Sequence, residues 1–210
     1  MQAGDRTRRT GDIVISPGFS EAERETVARL FWEAFSGKLG RLMRPEPKAL
    51  AFLCRALRSD FARVARDGEG RLLGVAGIKT PRGGLVAGGL RELAAAYGWP
   101  GALWRGPLLE LTERPLAPNQ MLLDGLFVAP AARGRGVGTA LVGAVIAEAE
   151  GLGLREVRLD VVDSNPRARA LYARLGFVPA GEDRLGPLGL VFGFRRSTRM
   201  IRRLDGERAV

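Results

Sequence analysis

Between Met121 and Leu152 the chain passes from a short apolar run into a long helical pattern through a turn dense in glycine and arginine. Met121–Val128 reads as a strand, and Gly134–Leu152 reads as a helix with Val137, Leu141, Val145, Ala149 and Leu152 on one stripe. The link runs through Pro130 to Arg133-Gly134-Arg135-Gly136-Val137-Gly138-Thr139. A unit of this kind needs a sheet for its strand and a sheet face for its helix, which calls for an α/β domain. The turn is also an anion site in waiting. The first amides of a helix lack intrahelical acceptors and sit at the positive end of its dipole. Glycines permit both the unusual dihedrals and the close approach of a phosphate. Neither common phosphate loop is present: no lysine follows a glycine as the Walker pattern requires, and G-x-G-x-x-G spacing is not met.

The rest of the 210 residues alternates in the same way. Residues 1–11 form a polar arm, 12–205 a single domain and 206–210 a tail. Asp12–Ser16 reads as a first strand. Ser20 and Glu23 form a capping box, and the helix they open carries Val27, Leu30, Phe31 and Phe35 and ends near Gly37. A second helix spans Pro47–Ser59, with Cys54 on its apolar stripe. Phe61–Arg66 and Arg71–Thr80 pair as a hairpin around Asp67-Gly68-Glu69-Gly70. Pro81–Asn119 is an insertion with one or two short helices, around Gly89–Tyr97 and Ala102–Glu110. Glu156–Val162 is a strand, and Pro166 opens a helix that Gly176 closes. Strands at Phe177–Ala180 and Arg196–Leu204 follow.

Composition removes whole classes of chemistry. The chain has no histidine and one cysteine. That excludes Ser-His and Cys-His nucleophile pairs and every histidine-bearing zinc site, so no metal is expected. Met1–Thr10 is polar with no apolar core behind it, unlike a secretory signal. No apolar run approaches the roughly 18 residues a membrane span needs. A reducing, cytoplasmic setting is the expectation. The net charge is +10, carried by three lysines and 30 arginines. The arginines are scattered rather than gathered into a stripe, so nucleic acid is not the expected partner.

Downstream, Asn165-Pro166-Arg167-Ala168-Arg169-Ala170-Leu171-Tyr172 is closed by Leu175-Gly176-Phe177-Val178. Asn165 suits a helix cap, and Leu171 with Leu175 makes the expected buried pair. Tyr172 then points about 100° away from them. Two readings stay open for its phenol: a core-edge ring with its hydroxyl in water, or a hydroxyl aimed into the gap between the two preceding strands.

Together these segments resemble the GNAT superfamily of acetyl-coenzyme A-dependent N-acetyltransferases. Arg133, Gly136 and Gly138 match its Q/R-x-x-G-x-G/A motif; Asn165, Ala168, Leu171-Tyr172 and Gly176-Phe177 match its second motif, in the same order and separation. The resemblance implies a mixed, mostly antiparallel sheet with helices on both faces. It implies that acetyl-coenzyme A is the cosubstrate, its pyrophosphate held by amides from Arg133 through Thr139 (Gly134, Arg135, Gly136, Val137 and Gly138 between them). Leu126, Phe127 and Val128, at a splayed strand end, would pair with the pantetheine arm, and an amide there would stabilise the tetrahedral oxyanion. Asn165 would contact that arm or the neighbouring strand end, Ala168 would lie beside the cofactor, and Tyr172 would protonate the departing thiolate.

The attacking amine must also lose a proton. Asp124 is the leading candidate base, since strand alternation sets it on one face with Leu126 and Val128; an ion pair with a nearby arginine is the alternative. Glu110 and Glu113 are candidate contacts for a cationic amine, while Asp160 and Asp163 read as structural. The insertion is expected to shape the acceptor pocket, with Tyr97, Trp99 and Trp104 lining it, filling a satellite core or making a homodimer contact. The resemblance implies a small-molecule or peptide amine as acceptor, and no residue of the sequence chooses among them. Two rivals remain: a coenzyme A-binding regulator that transfers nothing, and a basic nucleic-acid-binding protein.

Overall fold

The apolar runs pair into one mixed sheet that helices cover on both sides. The computed structural model describes residues 8–10, 13–110, 116–184, 194 and 196–204. The strands are β1 (Arg8–Thr10), β2 (Ile13–Pro17), β3 (Ala62–Arg66), β4 (Leu72–Thr80), β5 (Gly83–Gly84), β6 (Gln120–Val128), β7 (Glu156–Val162), β8 (Val178–Arg184) and β9 (Arg196–Arg203). The helices are α1 (Arg24–Met43), α2 (Glu46–Ala56), α3 (Leu90–Glu110), α4 (Val137–Gly151) and α5 (Pro166–Arg174). Among the described residues the sheet runs β1-β2-β3-β4-β6-β7-β9-β8, with β5 paired to β4. β6 and β7 are parallel because α4 crosses over between them; the other pairs are antiparallel. The mostly antiparallel sheet with helices on both faces is the architecture expected from the sequence.

Each face has its own core. On one, α4 and α5 cover Ala65, Ala76, Met121, Leu123, Val157 and Leu159 with Val137, Leu141, Val145 and Tyr172. On the other, α1, α2 and α3 cover Val64, Val75 and Phe127 with Phe31, Trp32, Phe52 and Leu93. β3 is tied to both by arginines. Arg63 is paired with Glu148 of α4, and Arg66 with Glu23, just ahead of α1.

Several boundaries differ from expectation for physical reasons. α1 does not stop at Gly37 but runs to Met43, because burial of Leu42 and Met43 outweighs the ~1 kcal/mol cost of a helical glycine. The Ser20–Glu23 box forms, with the Ser20 amide donating to Glu23 Oε2 at 2.7 Å. α2 ends at Ala56, since Leu57 turns extended and bridges to Val86 of the insertion. In the insertion Gly98, at φ 73°, breaks α3 into the two helical pieces expected there. Part of the polar arm joins the sheet, as Arg8–Thr10 pairs with β2.

Candidate functional site

The site is built where β6 leaves its neighbours. β6 pairs with β4 as far as Val128, but its parallel pairing with β7 ends at Leu123↔Leu159. Beyond that rung the two strands part, and β6 keeps one edge without a strand partner among the described residues. Leu126 and Val128 lie in this stretch half-buried against the α4 side, while Phe127 is buried on the α1 side.

Asp124 sits at the parting point, and its position corrects the sequence expectation. Gly77 pairs with Gly125 and Ile78 with Leu123, so Asp124 is the extra residue of a β-bulge. The bulge reverses the alternation. Asp124 faces the α1–α2 side with Leu122, opposite the side taken by Leu126 and Val128. The carboxylate is exposed and engaged in electrostatic contact, so the expected ion-pair alternative and a role at the site are both compatible with its surroundings.

The glycine loop follows. A single 3₁₀ turn spans Pro130–Ala132, and α4 begins at Val137 rather than Gly134. Gly134 (φ 78°) and Gly136 (φ 83°) occupy the left-handed region, which L side chains enter at a cost of about 1–2 kcal/mol. Gly136 is the N-cap and provides no side-chain cap, leaving the amides of Val137, Gly138 and Thr139 to be satisfied from outside. Val137 itself is buried and anchors the helix. A side chain at Gly138 would press on Leu171 at 3.3 Å, so glycine there lets α4, α5 and β6 close up. Arg133, Gly134, Arg135, Gly136 and Thr139 are exposed. The Arg133 guanidinium turns back, donating to the Val128 carbonyl at 3.2 Å and pairing with Glu33 of α1 at 3.2 Å. Arg135 stays on the loop. This exposed, glycine-kinked cradle fits a diphosphate, and the open edge of β6 beside it fits an extended pantetheine arm.

Asn165 caps α5, its Oδ1 accepting from the Ala168 amide at 3.1 Å. In α5 the deepest position falls on the tyrosine and not on the leucine pair. Leu171 and Leu175 are half-buried, whereas Tyr172 is buried with its ring edge-on to Phe177 at 5.9 Å. The stripe is decided by what packs on it, and here the Tyr172 ring joins Phe177 and Met200 in the buried core. Burial pushes the Tyr172 phenol up to about 12, and its hydroxyl has no hydrogen-bond partner among the described residues.

On the opposite face a cavity of about 310 Å³ opens at the same parting point. Its polar lining is Lys79, Asp124 and Asp160; its walls are apolar, with Phe31, Trp32 and Phe35 from α1 and Phe52 from α2. The insertion contributes Leu85, Val86 and Leu109; of the three readings for Tyr97, Trp99 and Trp104, pocket lining is not the one seen. Tyr97 is buried and donates to the Met43 carbonyl; Trp99 and Trp104 are exposed on the outside of α3. Asp160, read as structural, does pair with Arg158 at 3.2 Å yet also lines the cavity; Asp163 is exposed. Glu113 and the Glu110 side chain lie outside the described residues. The helix α1 aromatics were missed as site residues because wall and core share one helical stripe. Burial also raises the Cys54 thiol, on α2.

Comparisons with known proteins agree with this arrangement. The model of the acetyltransferase (GNAT) family matches residues 24–177. A structure described as histone acetyltransferase HPA2 and related acetyltransferase from Corynebacterium glutamicum superposes with a TM-score of 0.63 at 24% identity, covering 91% of this chain and 96% of that one. An N-acetyltransferase from Staphylococcus aureus gives 0.61 at 15%, covering 89% and 98%. A GCN5-related N-acetyltransferase from Kribbella flavida gives 0.57 at 21%, covering 92% and 98%. At these identities they share the fold. No curated protein matches the chain.

Proposed function

Because the chain belongs to the acetyltransferase (GNAT) family, whose general reaction is acetyl transfer from acetyl-coenzyme A, we propose that it acetylates a primary amine by direct attack in a ternary complex. The observation that carries this reading is the parting of β6 from β7 between a glycine-kinked helix start and an apolar-walled cavity. Acetyl-coenzyme A supplies the thioester whose carbonyl carbon takes the amine. In this reading the amides from Arg133 to Thr139 hold the pyrophosphate, and the Leu126–Val128 edge holds the pantetheine beside Asn165 and Ala168. An amide of that edge steadies the carbonyl oxygen as it gains charge. Asp124 accepts the proton that the ammonium must shed, directly or through water, and Tyr172 returns one to the leaving thiolate. A cytoplasmic setting belongs to the same proposal, as does the absence of an acyl-enzyme, since Cys54 sits on α2 with its thiol raised by burial.

The phenol at about 12 stays protonated through the working pH range. It is also a weaker acid than a thiol near 8.5 in water, so donation to the departing sulfur requires the same burial to raise that thiol as well. The test is coenzyme A thiol release from acetyl-coenzyme A over a panel of amines, together with calorimetric binding of coenzyme A. Gly136→Glu forces a non-glycine residue into the left-handed region and places an anion at the cradle. Coenzyme A affinity should fall about hundredfold. Undiminished affinity in that variant would move the cofactor site elsewhere.

A further inference from the structure

The cavity beneath α1 and α2 has polarity at one end only. Lys79, Asp124 and Asp160 lie on adjoining rungs of β4, β6 and β7, where Lys79 pairs with Leu122 and Leu123 pairs with Leu159. From that rung outward the walls are rings and aliphatic chains, among them Phe31, Trp32, Phe35 and Leu39. Two of these rings are held from behind by β6: Phe31 lies 4.7 Å from Phe35, and Phe127 meets them edge-on at 5.6 and 6.1 Å. About 310 Å³ stands at the small end of ligand pockets, suited to a single small molecule. Arg158 pairs with Asp160 from the same face of β7, and Lys79 and Asp124 are engaged in contacts of their own, so the polar end is an ordered cluster and not a bare acidic hole.

We propose that the acceptor is a small primary amine carried on an apolar body, its nitrogen at the Asp124–Asp160 rung and its hydrocarbon between the rings of α1 and α2. This rests on the acetyl-transfer reading and narrows it. A second ammonium or a run of hydroxyls on the acceptor would leave water to face aromatic walls, which costs more than those walls return. A hydrocarbon body gains at every carbon it buries.

The experiment follows thiol release from acetyl-coenzyme A with the full chain, using propylamine, butylamine, pentylamine, hexylamine, 2-phenylethylamine and spermidine. The expected result is a kcat/KM that climbs about fourfold per methylene until the cavity is full. 2-Phenylethylamine should match or exceed hexylamine, and spermidine should fall at least about tenfold below it. Leu39→Gln should raise the KM for hexylamine about tenfold while the KM for acetyl-coenzyme A stays within about twofold. A series flat in chain length, a preference for spermidine, or an unmoved hexylamine KM in Leu39→Gln would overturn the apolar acceptor and leave acetyl transfer standing. Coenzyme A binding with no thiol release from any amine would overturn both.

Discussion

The two faces of the sheet solve different problems with different residues. On the α4–α5 face the candidate site is built from backbone: left-handed Gly134 and Gly136, uncapped amides at Val137–Thr139 and the open edge of β6. On the α1–α2 face it is built from side chains, the Phe31, Trp32, Phe35 and Phe52 rings around a cavity with Asp124 at its polar end. Backbone geometry tolerates little change, which suits a fixed group such as a diphosphate. Side-chain walls can be exchanged residue by residue, which suits an acceptor that differs between relatives of one fold. Charge follows the same division at β3, with Arg63 paired to the first face and Arg66 to the second.

Three perturbations set the faces against each other. The largest expected effect is Phe127→Ala. This ring is buried where Phe31 and Phe35 meet β6, and truncation should cost about 3–5 kcal/mol by denaturant unfolding. It should also raise acceptor KM more than it weakens coenzyme A binding; equal losses on both would show that the faces are not separable. Next is Tyr172→Phe, which keeps the ring that packs on Phe177 and removes the proton. It should lower kcat about hundredfold with little change in folding at neutral pH. Turnover at the parent rate would take Tyr172 out of the acid role and leave it as core.

The smallest effect concerns pH. Glu23 is held down to about 2, chiefly by hydrogen bonding to the Arg66 guanidinium. A carboxyl lowered from 4.5 contributes stability that is present above pH 4.5 and lost as pH falls toward 2. With its side chain 22% exposed the pair is partly screened, so the contribution is about 1–2 kcal/mol. Parent and Glu23→Gln unfolding curves should therefore differ at pH 6 and converge by about pH 2. A gap that persists at pH 2 would mean that the Arg66 pairing is not what holds the start of α1.

Legibility in the sequence was unequal between the faces. The capping box at Ser20, the strand Glu156–Val162, the Asn165 cap and the two pieces of α3 were all visible, because each depends on residues within a few positions of one another. Asp124 was visible as an odd carboxylate in an apolar strand, but its face was not, since the bulge that turns it exists only in pairing with Gly77 and Ile78. Tyr172 was singled out by its motif, yet Leu171 and Leu175 were expected to be the buried pair, because periodicity cannot say which neighbour fills a gap.

Local chemistry, then, was enough to announce a strand, a glycine turn and a helix, and with a second motif in register to point to the family. The cavity required the third dimension. Phe31 and Phe52 lie on different helices, Asp124 and Asp160 on different strands, and a helical apolar stripe reads the same whether it faces a filled core or an empty pocket. Packing alone decides between those two.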